Sequence, residues 1–241
     1  MKRTYFLLGI TLMVSAAMLM TACKKEDTNS GNTPEGGAGG GDTTFETWVD
    51  LGLPSGLLWA SYNLGAQKPD DFGNYYAWGE TSPKEVYGWA NYAYGMSKYE
   101  LTKYCGMPLY GLYYYSDSLS TLEPSDDAAA VNLGDGARMP TKEEWEELEA
   151  HTNNSWTTRN GVLGCLLTAP NGNSIFLPAA GCREGSSLNE VGHSGGYWSS
   201  SLMTSGPCNA WQFYIHSNGD EVKAQFRCKG FSVRAVRASQ N

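Results

Sequence analysis

Residues 138–148 read RMPTKEEWEEL, and this stretch predicts the best-defined helix of the chain. Thr141 followed three positions later by Glu144 is a capping box, in which each side chain satisfies a backbone N–H group of the first turn. Trp145 and Leu148 lie three residues apart on one helix face, so we expect both to be buried. Glu143, Glu146 and Glu149 then point toward water, and the helix shields a hydrophobic interior.

The longer stretch EEWEELEAH (143–151) allows a second interpretation, because it places five carboxylates and a histidine on one helix. Glu147 and His151 are four residues apart and could share a metal ion. Metal-binding helices of the zincin type need two histidines four apart with a glutamate between them. Here the single histidine stands at the helix end, where a cation suits the helix dipole. We therefore interpret the carboxylates as a solvated face, with no metal site and no catalytic residue.

The same segment resembles the Arg-hydrophobic-Pro-Thr-x-x-Glu-Trp-Glu motif of the formylglycine-generating enzyme group, a branch of the C-type lectin-like fold. Seven further segments, in order, resemble the Fibrobacter succinogenes major paralogous domain and extend the likeness over about residues 48–238: VDLGLPSGLLWASYNLGA, DFGNYYAWGETSPKE, LTKYC, LEPSDDAA, NGNSIFLPAAG, GGYWSSS and GFSVRAVR. The resemblance implies an α+β domain of the C-type lectin-like fold, with small twisted antiparallel sheets, few helices and long structured loops. It also implies a bacterial envelope lipoprotein.

The N-terminus predicts export and lipid attachment. Lys2 and Arg3 precede the apolar run of residues 5–22, and small residues lead to Cys23, which is typical of a secretory signal; an uncleaved membrane anchor is the alternative. The ending Leu-Met-Thr-Ala-Cys resembles a bacterial lipobox, which implies cleavage before Cys23 and acylation, for example with palmitate. The following Lys-Lys-Glu-Asp resembles a signal for surface display on the outer membrane, although any solvated linker can be charged.

These features divide the chain into three parts. Residues 1–22 are the predicted signal peptide, 23–44 the acylated cysteine with a flexible Gly-rich tether, and 45–241 a single C-type lectin-like domain. The chain has 17 Lys and Arg against 25 Asp and Glu, and loss of the signal leaves 15 against 25, a net charge of −10. This acidity argues against nucleic acid as a partner and leaves the lipid anchor as the predicted contact with the membrane.

Several stretches predict β-structure. Residues 48–61 form a strand, a Pro-Ser-Gly turn and a second strand, and residues 162–181 form a hairpin about Asn171-Gly172. Toward the C-terminus, apolar and polar residues alternate in three runs: 211–216, 222–227 and 231–235. Three successive runs of period two predict a meander with one buried face, which leaves Arg227 and Arg234 on the polar face.

The mature domain has five cysteines and no CxxC pair. Cys208 and Cys228 are nearly equidistant from the Asn218-Gly219 turn, so we predict a disulfide between them, subject to cross-strand geometry. Enzymes of the formylglycine-generating group use a cysteine pair before the final strand, and the matching residues 221–229 contain only Cys228. The two-thiol site is therefore not carried over.

Calcium is a further alternative, because carboxylate oxygens suit this ion. The acidic groups are Asp70-Asp71, Asp126-Asp127 and Asp135 near Asn132. Calcium-dependent lectins use a Glu-Pro-Asn or Gln-Pro-Asp triplet. In Gln67-Lys68-Pro69-Asp70 the Gln-Pro-Asp triplet is interrupted by Lys68. We interpret the acidic residues as turn and N-cap residues and predict no metal and no other cofactor.

The loop region 87–115 is unusually aromatic, and aromatic side chains offer a large contact area to sugars and proteins at low entropic cost. The alternative is that these rings fold back into a satellite core. The predicted ligand-binding residues are Trp89, Tyr92, Tyr94, Tyr113, Tyr114 and Tyr115.

We therefore hypothesise a surface-tethered, non-enzymatic recognition domain that binds a glycan or a protein. Two alternatives remain open: a divergent enzyme of the formylglycine-generating type, and a structural component of the envelope. His193 stands in a Gly-rich loop with no evident serine and acid partners, which disfavours a hydrolase triad.

Overall fold

The computed structural model describes residues 47–239, in which strands predominate over helices. The two α-helices are α1 (Ala128–Leu133) and α2 (Lys142–His151), and short 3-10 helices span Trp89–Asn91, Pro108–Tyr110 and Leu112–Tyr114. The strands are β1 (Trp48–Asp50), β2 (Leu57–Ala60), β3 (Asn153–Arg159), β4 (Val162–Thr168), β5 (Ser174–Pro178), β6 (Cys182–Glu184), β7 (Ser187–Asn189), β8 (Ser194–Leu202), β9 (Asn209–His216), β10 (Gly219–Phe226) and β11 (Val236–Ala238).

In this part of the chain the strands form four small sheets, and every strand pair is antiparallel. The sheet orders are β1-β2-β11, β10-β9-β8, β3-β4-β5 and β6-β7. Small antiparallel sheets with few helices and long ordered loops make this an α+β structure.

Both predicted hairpins are confirmed. Strands β1 and β2 pair across the Pro-Ser-Gly turn, and β4 pairs with β5. Gly172 lies in the left-handed region with φ of 88° and donates to the Ala169 carbonyl at 3.0 Å, which closes the second turn. Glycine adopts this conformation without a steric penalty, so the Asn-Gly signal locates the turn correctly.

Helix α2 begins as its sequence predicts. The Glu144 N–H donates to the Thr141 hydroxyl at 3.2 Å, and a Glu144 carboxylate oxygen accepts from the Thr141 N–H at 2.8 Å. Arg138 adds two bonds to the same carboxylate, at 2.7 and 2.6 Å. Trp145 and Leu148 are fully buried, so one helix face enters the core.

Two aromatic clusters make up most of the interior. In the first, the Trp145 ring stacks on Phe213 with centroids 4.8 Å apart and contacts Trp59 at 4.9 Å. In the second, Trp78 and Trp198 are fully buried, and their indole N–H groups donate to the carbonyls of Ser199 and Tyr76, both at 2.8 Å. These bonds satisfy polar atoms that would otherwise be costly to bury.

The predicted meander is wrong in its third strand. A meander would place residues 231–235 beside β10, but β10 is an edge strand of its sheet, and the third strand of that sheet is β8, on the other side of β9. Residues 231–235 run between sheets instead. Ser232 and Arg234 are fully buried, as are their apolar neighbours Val233 and Ala235, because both faces of this segment are covered. The chain then continues into β11, which pairs with β2.

All described elements lie in one compact unit. The predicted signal peptide, Cys23 and the Gly-rich tether lie outside the described residues. Among the helices of residues 47–239, none is long and apolar enough to cross a membrane.

Candidate functional site

The predicted ligand-binding aromatics separate into two groups. Trp89, Tyr92 and Tyr94 pack into the domain, whereas Tyr113, Tyr114 and Tyr115 lie at the surface. The density of aromatic residues in the sequence does not distinguish the two groups, since both occur in the same loop region.

The inner group forms part of the core. The Tyr92 hydroxyl donates to the Trp78 carbonyl at 2.7 Å, and its ring meets Trp89 and Tyr94 edge to face, with centroids 5.5 and 5.9 Å apart. Burial raises the pKa of Tyr94 to about 12 and also raises that of Tyr92. For these three residues the packing corresponds to the satellite-core alternative.

Arg227 holds the inner group and was not identified from the sequence. Its side chain is fully buried, and its guanidinium lies 5.4 Å from the ring centroids of both Trp78 and Tyr92. It donates to the carbonyls of Lys103 at 3.2 and 3.3 Å and of Tyr104 at 2.9 Å. One buried cation therefore ties the loop backbone to the aromatic cluster.

The outer group belongs to a segment that we call the tyrosine loop, residues 107–115. The side chains of Tyr113 and Tyr114 are 93% and 79% exposed. Both residues are left-handed, with φ of 50° at Tyr113 and 62° at Tyr114. This backbone conformation costs a non-glycine residue about 1–3 kcal/mol, and such strain concentrates at functional sites.

Within the tyrosine loop, the backbone of Gly111 lies very close to the backbone of Tyr115. An atom in the Cβ position of Gly111 would lie 1.7 Å from the Tyr115 carbonyl oxygen, so only glycine fits there. The N–H of Tyr114 donates to the Gly111 carbonyl at 3.0 Å, and that of Tyr115 to the Leu112 carbonyl at 3.0 Å. The two exposed tyrosines thus stand on a hydrogen-bonded turn.

Asp117 anchors one end of the tyrosine loop. Its carboxylate accepts from the N–H groups of Tyr104, Cys105 and Leu119 at 2.7, 2.9 and 3.1 Å. It also accepts from the Tyr115 hydroxyl at 2.9 Å. Four bonds to one carboxylate join the loop to the neighbouring segment.

Leu101 anchors the middle of the tyrosine loop. This residue is fully buried, its N–H donates to the Tyr110 carbonyl at 2.9 Å, and its carbonyl accepts from Leu112 at 2.9 Å. The Tyr99 and Tyr110 rings also meet, with centroids 5.4 Å apart. The loop therefore projects its two exposed rings from a fixed base.

Exposed apolar side chains accompany the tyrosines. Leu109 is 70% exposed, and Met96 and Tyr99, from the segment bonded to the loop through Leu101, are 61% and 50% exposed. Large apolar side chains exposed together are typical of interaction sites.

The predicted disulfide between Cys208 and Cys228 is corrected by the strand register. Gly219 pairs with His216, and continuing this register places Arg227, not Cys228, opposite Cys208; the Arg227 N–H donates to the Cys208 carbonyl at 3.1 Å. The two cysteines are thus offset by one residue and point to opposite faces. Both are free thiols, and burial raises the pKa of Cys228 to about 11.

Four of the acidic residues considered for calcium, Asp70, Asp71, Asp126 and Asp127, have protein partners. Asp127 caps α1 by accepting from the N–H groups of Ala129 and Ala130 at 2.9 and 3.0 Å. Asp126 accepts from Lys103 and from the Tyr104 hydroxyl, both at 2.6 Å. In residues 47–239, no three His, Cys, Asp or Glu side chains are grouped to hold a metal ion.

Glu147 and His151 do not converge on a shared site. A Glu147 carboxylate oxygen accepts from the Ser55 N–H at 2.8 Å, in the turn between β1 and β2. The His151 Nδ1 atom lies 2.9 Å from the Glu147 backbone carbonyl oxygen. The Glu147 side chain therefore connects α2 to the first hairpin.

Comparisons of the chain with protein-family models, with curated proteins and with solved structures find no match. The geometry of the tyrosine loop, together with the sequence motifs, is accordingly the basis for a functional proposal.

Proposed function

We propose that the chain is an envelope lipoprotein whose C-type lectin-like domain, without catalytic activity, recognises a ligand through the tyrosine loop. The observation that carries this proposal is the pair Tyr113 and Tyr114, both strongly exposed and both held in a left-handed backbone conformation. The motif resemblance supports the fold and the lipid anchor at Cys23, and the small antiparallel sheets with long ordered loops are compatible with that fold.

The strained backbone of the tyrosine loop preorganises it for binding. A backbone strain of about 1–3 kcal/mol per residue is retained at two adjacent positions, although the rings gain little burial in return. Tyrosine offers a large, rigid and amphipathic contact surface with few rotatable bonds. A loop that already holds these rings in place loses little entropy when it binds.

The neighbouring side chains favour a protein over a glycan at this loop. Leu109, Met96 and Tyr99 add apolar exposed surface, and methionine and aromatic residues are enriched in protein–protein interfaces. A glycan is the other outcome of the test, since tyrosine rings also suit sugar faces.

The test is a binding screen with the full chain, purified in detergent, on paired arrays of envelope or host-surface proteins and of glycans. The variant Y113S/Y114S removes both rings, and V131S removes a 53% exposed apolar side chain from α1 as a matched control. We expect specific protein hits that the double variant loses by about tenfold or more and the control retains.

Two results would overturn the proposal: silence of the wild-type chain across both arrays, or equal binding by wild type and double variant. Glycan hits that depend on the two tyrosines would keep the recognition function and change the ligand class. Crosslinks to fixed envelope neighbours in intact cells, with silent arrays, would indicate the structural role instead.

A further inference from the structure

A cleft lies apart from the residues of the tyrosine loop. It has a volume of about 400 Å³, within the range of small-ligand pockets. It lies between residues 73–75, residues 83–87 and the β6–β7 hairpin, and it is lined by Gly73, Asn74, Tyr75, Pro83, Lys84, Glu85, Tyr87, Arg183 and Ser186.

The floor of the cleft is rigid. Tyr75 and Tyr87 are buried; the Tyr75 hydroxyl donates to the Ala180 carbonyl at 2.6 Å, and the Tyr87 hydroxyl donates to the Tyr75 carbonyl at 2.7 Å. Burial raises the pKa of Tyr75 to about 12, so both hydroxyls stay protonated donors at neutral pH.

Arg183 is held over this floor. Its backbone exchanges two hydrogen bonds with Gly230, at 2.8 and 2.9 Å, and pairs with Leu188 in the β6–β7 sheet. Its guanidinium carbon lies 5.3 Å from the centroid of the Tyr75 ring. An arginine stacked on an aromatic ring keeps the edge of its planar fork free for acceptors.

Among residues 47–239 the Arg183 guanidinium forms no hydrogen bond, and no carboxylate oxygen lies within 4 Å of it. The other charges near it differ in this respect. Lys84 is bound to Glu80 at 2.7 Å and to the Asn91 carbonyl at 2.9 Å, and Glu184 is paired with Lys229 at 3.0 Å. The half-buried Arg183 therefore supplies an unused cationic fork to the cleft.

We propose that this cleft binds the carboxylate of a terminal hexuronic acid residue of an acidic glycan, with Arg183 forming the paired hydrogen bonds. Two parallel N–H···O bonds to one carboxylate are the preferred geometry of a guanidinium. Ser186 and Asn74 also line the cleft, and the Ser186 hydroxyl can bond a sugar hydroxyl group.

Glu85 favours a sugar over an acidic peptide as the ligand of this cleft. Glu85 lines the same cleft, and its negative charge would oppose a ligand that carries several negative charges close together. A terminal uronic acid carries a single carboxylate among hydroxyl groups, so it satisfies Arg183 and stays compatible with Glu85.

The test compares a disaccharide with terminal glucuronic acid to its terminal-glucose counterpart, by NMR titration of the full chain in detergent. We expect the acidic disaccharide to bind at least about tenfold more tightly than the neutral one. R183Q removes this preference, R183K restores part of it through charge alone, and E85Q strengthens binding of the acidic disaccharide. We expect Y113S/Y114S to leave binding of the acidic disaccharide unchanged, which distinguishes this site from the tyrosine loop.

Equal binding of the two disaccharides, or unchanged binding by R183Q, would overturn the assignment. Loss of binding in Y113S/Y114S would place the ligand on the tyrosine loop instead. Tri-glutamate binding more tightly than the disaccharide would replace the glycan with a peptide. If R183Q melts well below wild type, the comparison of E85Q with wild type decides, because unchanged or weaker binding there contradicts a cleft in which Glu85 opposes the ligand.

Discussion

Two arginines of the domain, Arg227 and Arg234, are fully buried, and both donate hydrogen bonds to backbone carbonyl groups. Arg227 and Arg234 occupy polar positions of period-two runs, yet neither is exposed. Arg234 donates to Asn63 and to the carbonyls of Ala60 and Phe176, and burial lowers its pKa to about 10. A run of alternating residues does not reveal whether a distant loop covers its polar face, so only one of the two faces was predictable.

The first residue-scale prediction concerns Arg227. We expect R227K to lower the free energy of unfolding by about 2–4 kcal/mol, because one ammonium cannot serve the carbonyls of both Lys103 and Tyr104 and still fill the space between Trp78 and Tyr92. Denaturant unfolding measures the change. As a control, R183K changes an arginine whose guanidinium forms no hydrogen bond among the described residues, and we expect a loss of less than about 1 kcal/mol. A similar small loss in R227K would contradict the role of the buried cation.

The second prediction at this scale is that Asp126 makes the stability of the folded domain depend on pH. Burial alone would raise the pKa of Asp126, but hydrogen bonds from Lys103, Tyr104 and Tyr94 outweigh it and hold the pKa below 3.8. Because the folded pKa is depressed, the stabilisation is present above the unfolded pKa and is lost as pH falls through the folded value.

Unfolding of wild type and D126N, measured from about pH 6 to about pH 3, checks this sign. We expect wild type to be the more stable at the upper end and the difference to shrink toward the lower end. A difference that stays constant over this range would show that the Asp126 charge is not involved.

At the scale of elements, the tyrosine loop depends on one glycine. We expect G111A to lower the free energy of unfolding by about 1–3 kcal/mol and to speed hydrogen exchange at the Tyr114 and Tyr115 amides, since the added methyl group would overlap the Tyr115 carbonyl. G106A is the matched control, because its added carbon would meet its nearest neighbour, Asp117, at an ordinary 3.8 Å. Equal effects of the two variants would refute the close approach as the cause.

Local signals in the sequence predicted local elements well. The capping box located the start of α2, and Asn171-Gly172 located a hairpin, because in each case the partner groups lie within a few residues. The segment 231–235 failed because its partners, including Tyr76 and Tyr197, are far away in the sequence. The exposure of Tyr113 against the burial of Tyr92 also depends on distant contacts, here those of Leu101 and Arg227.

The predicted disulfide is wrong because of the strand register. Near-equal distance from a turn allows two registers that differ by one residue, and such a slip moves a side chain to the opposite face of the sheet. The two-residue connection between His216 and Gly219 selects the register that opposes Cys208 with Arg227.

At the scale of the whole molecule, the cysteines connect the fold to the predicted anchor. The chain has six cysteines, and five of them, Cys105, Cys165, Cys182, Cys208 and Cys228, are free thiols of the described domain. Burial is the main cause that raises the pKa of each, to about 12 for Cys165 and about 11 for Cys228. Because the thiolate is the reactive form, these groups are protected while the domain is folded.

We therefore expect slow reaction of the folded chain with a thiol reagent near pH 8 and complete reaction once denaturant is added. For the full chain made in a bacterium that processes lipoproteins and purified without oxygen, the denatured count distinguishes two states of Cys23: five thiols if it is acylated, six if it is not. The variant C23S gives five in either case and calibrates the assay. A count of six for wild type would contradict the lipid anchor, and a count of four or three would reveal a disulfide that the folded register does not contain.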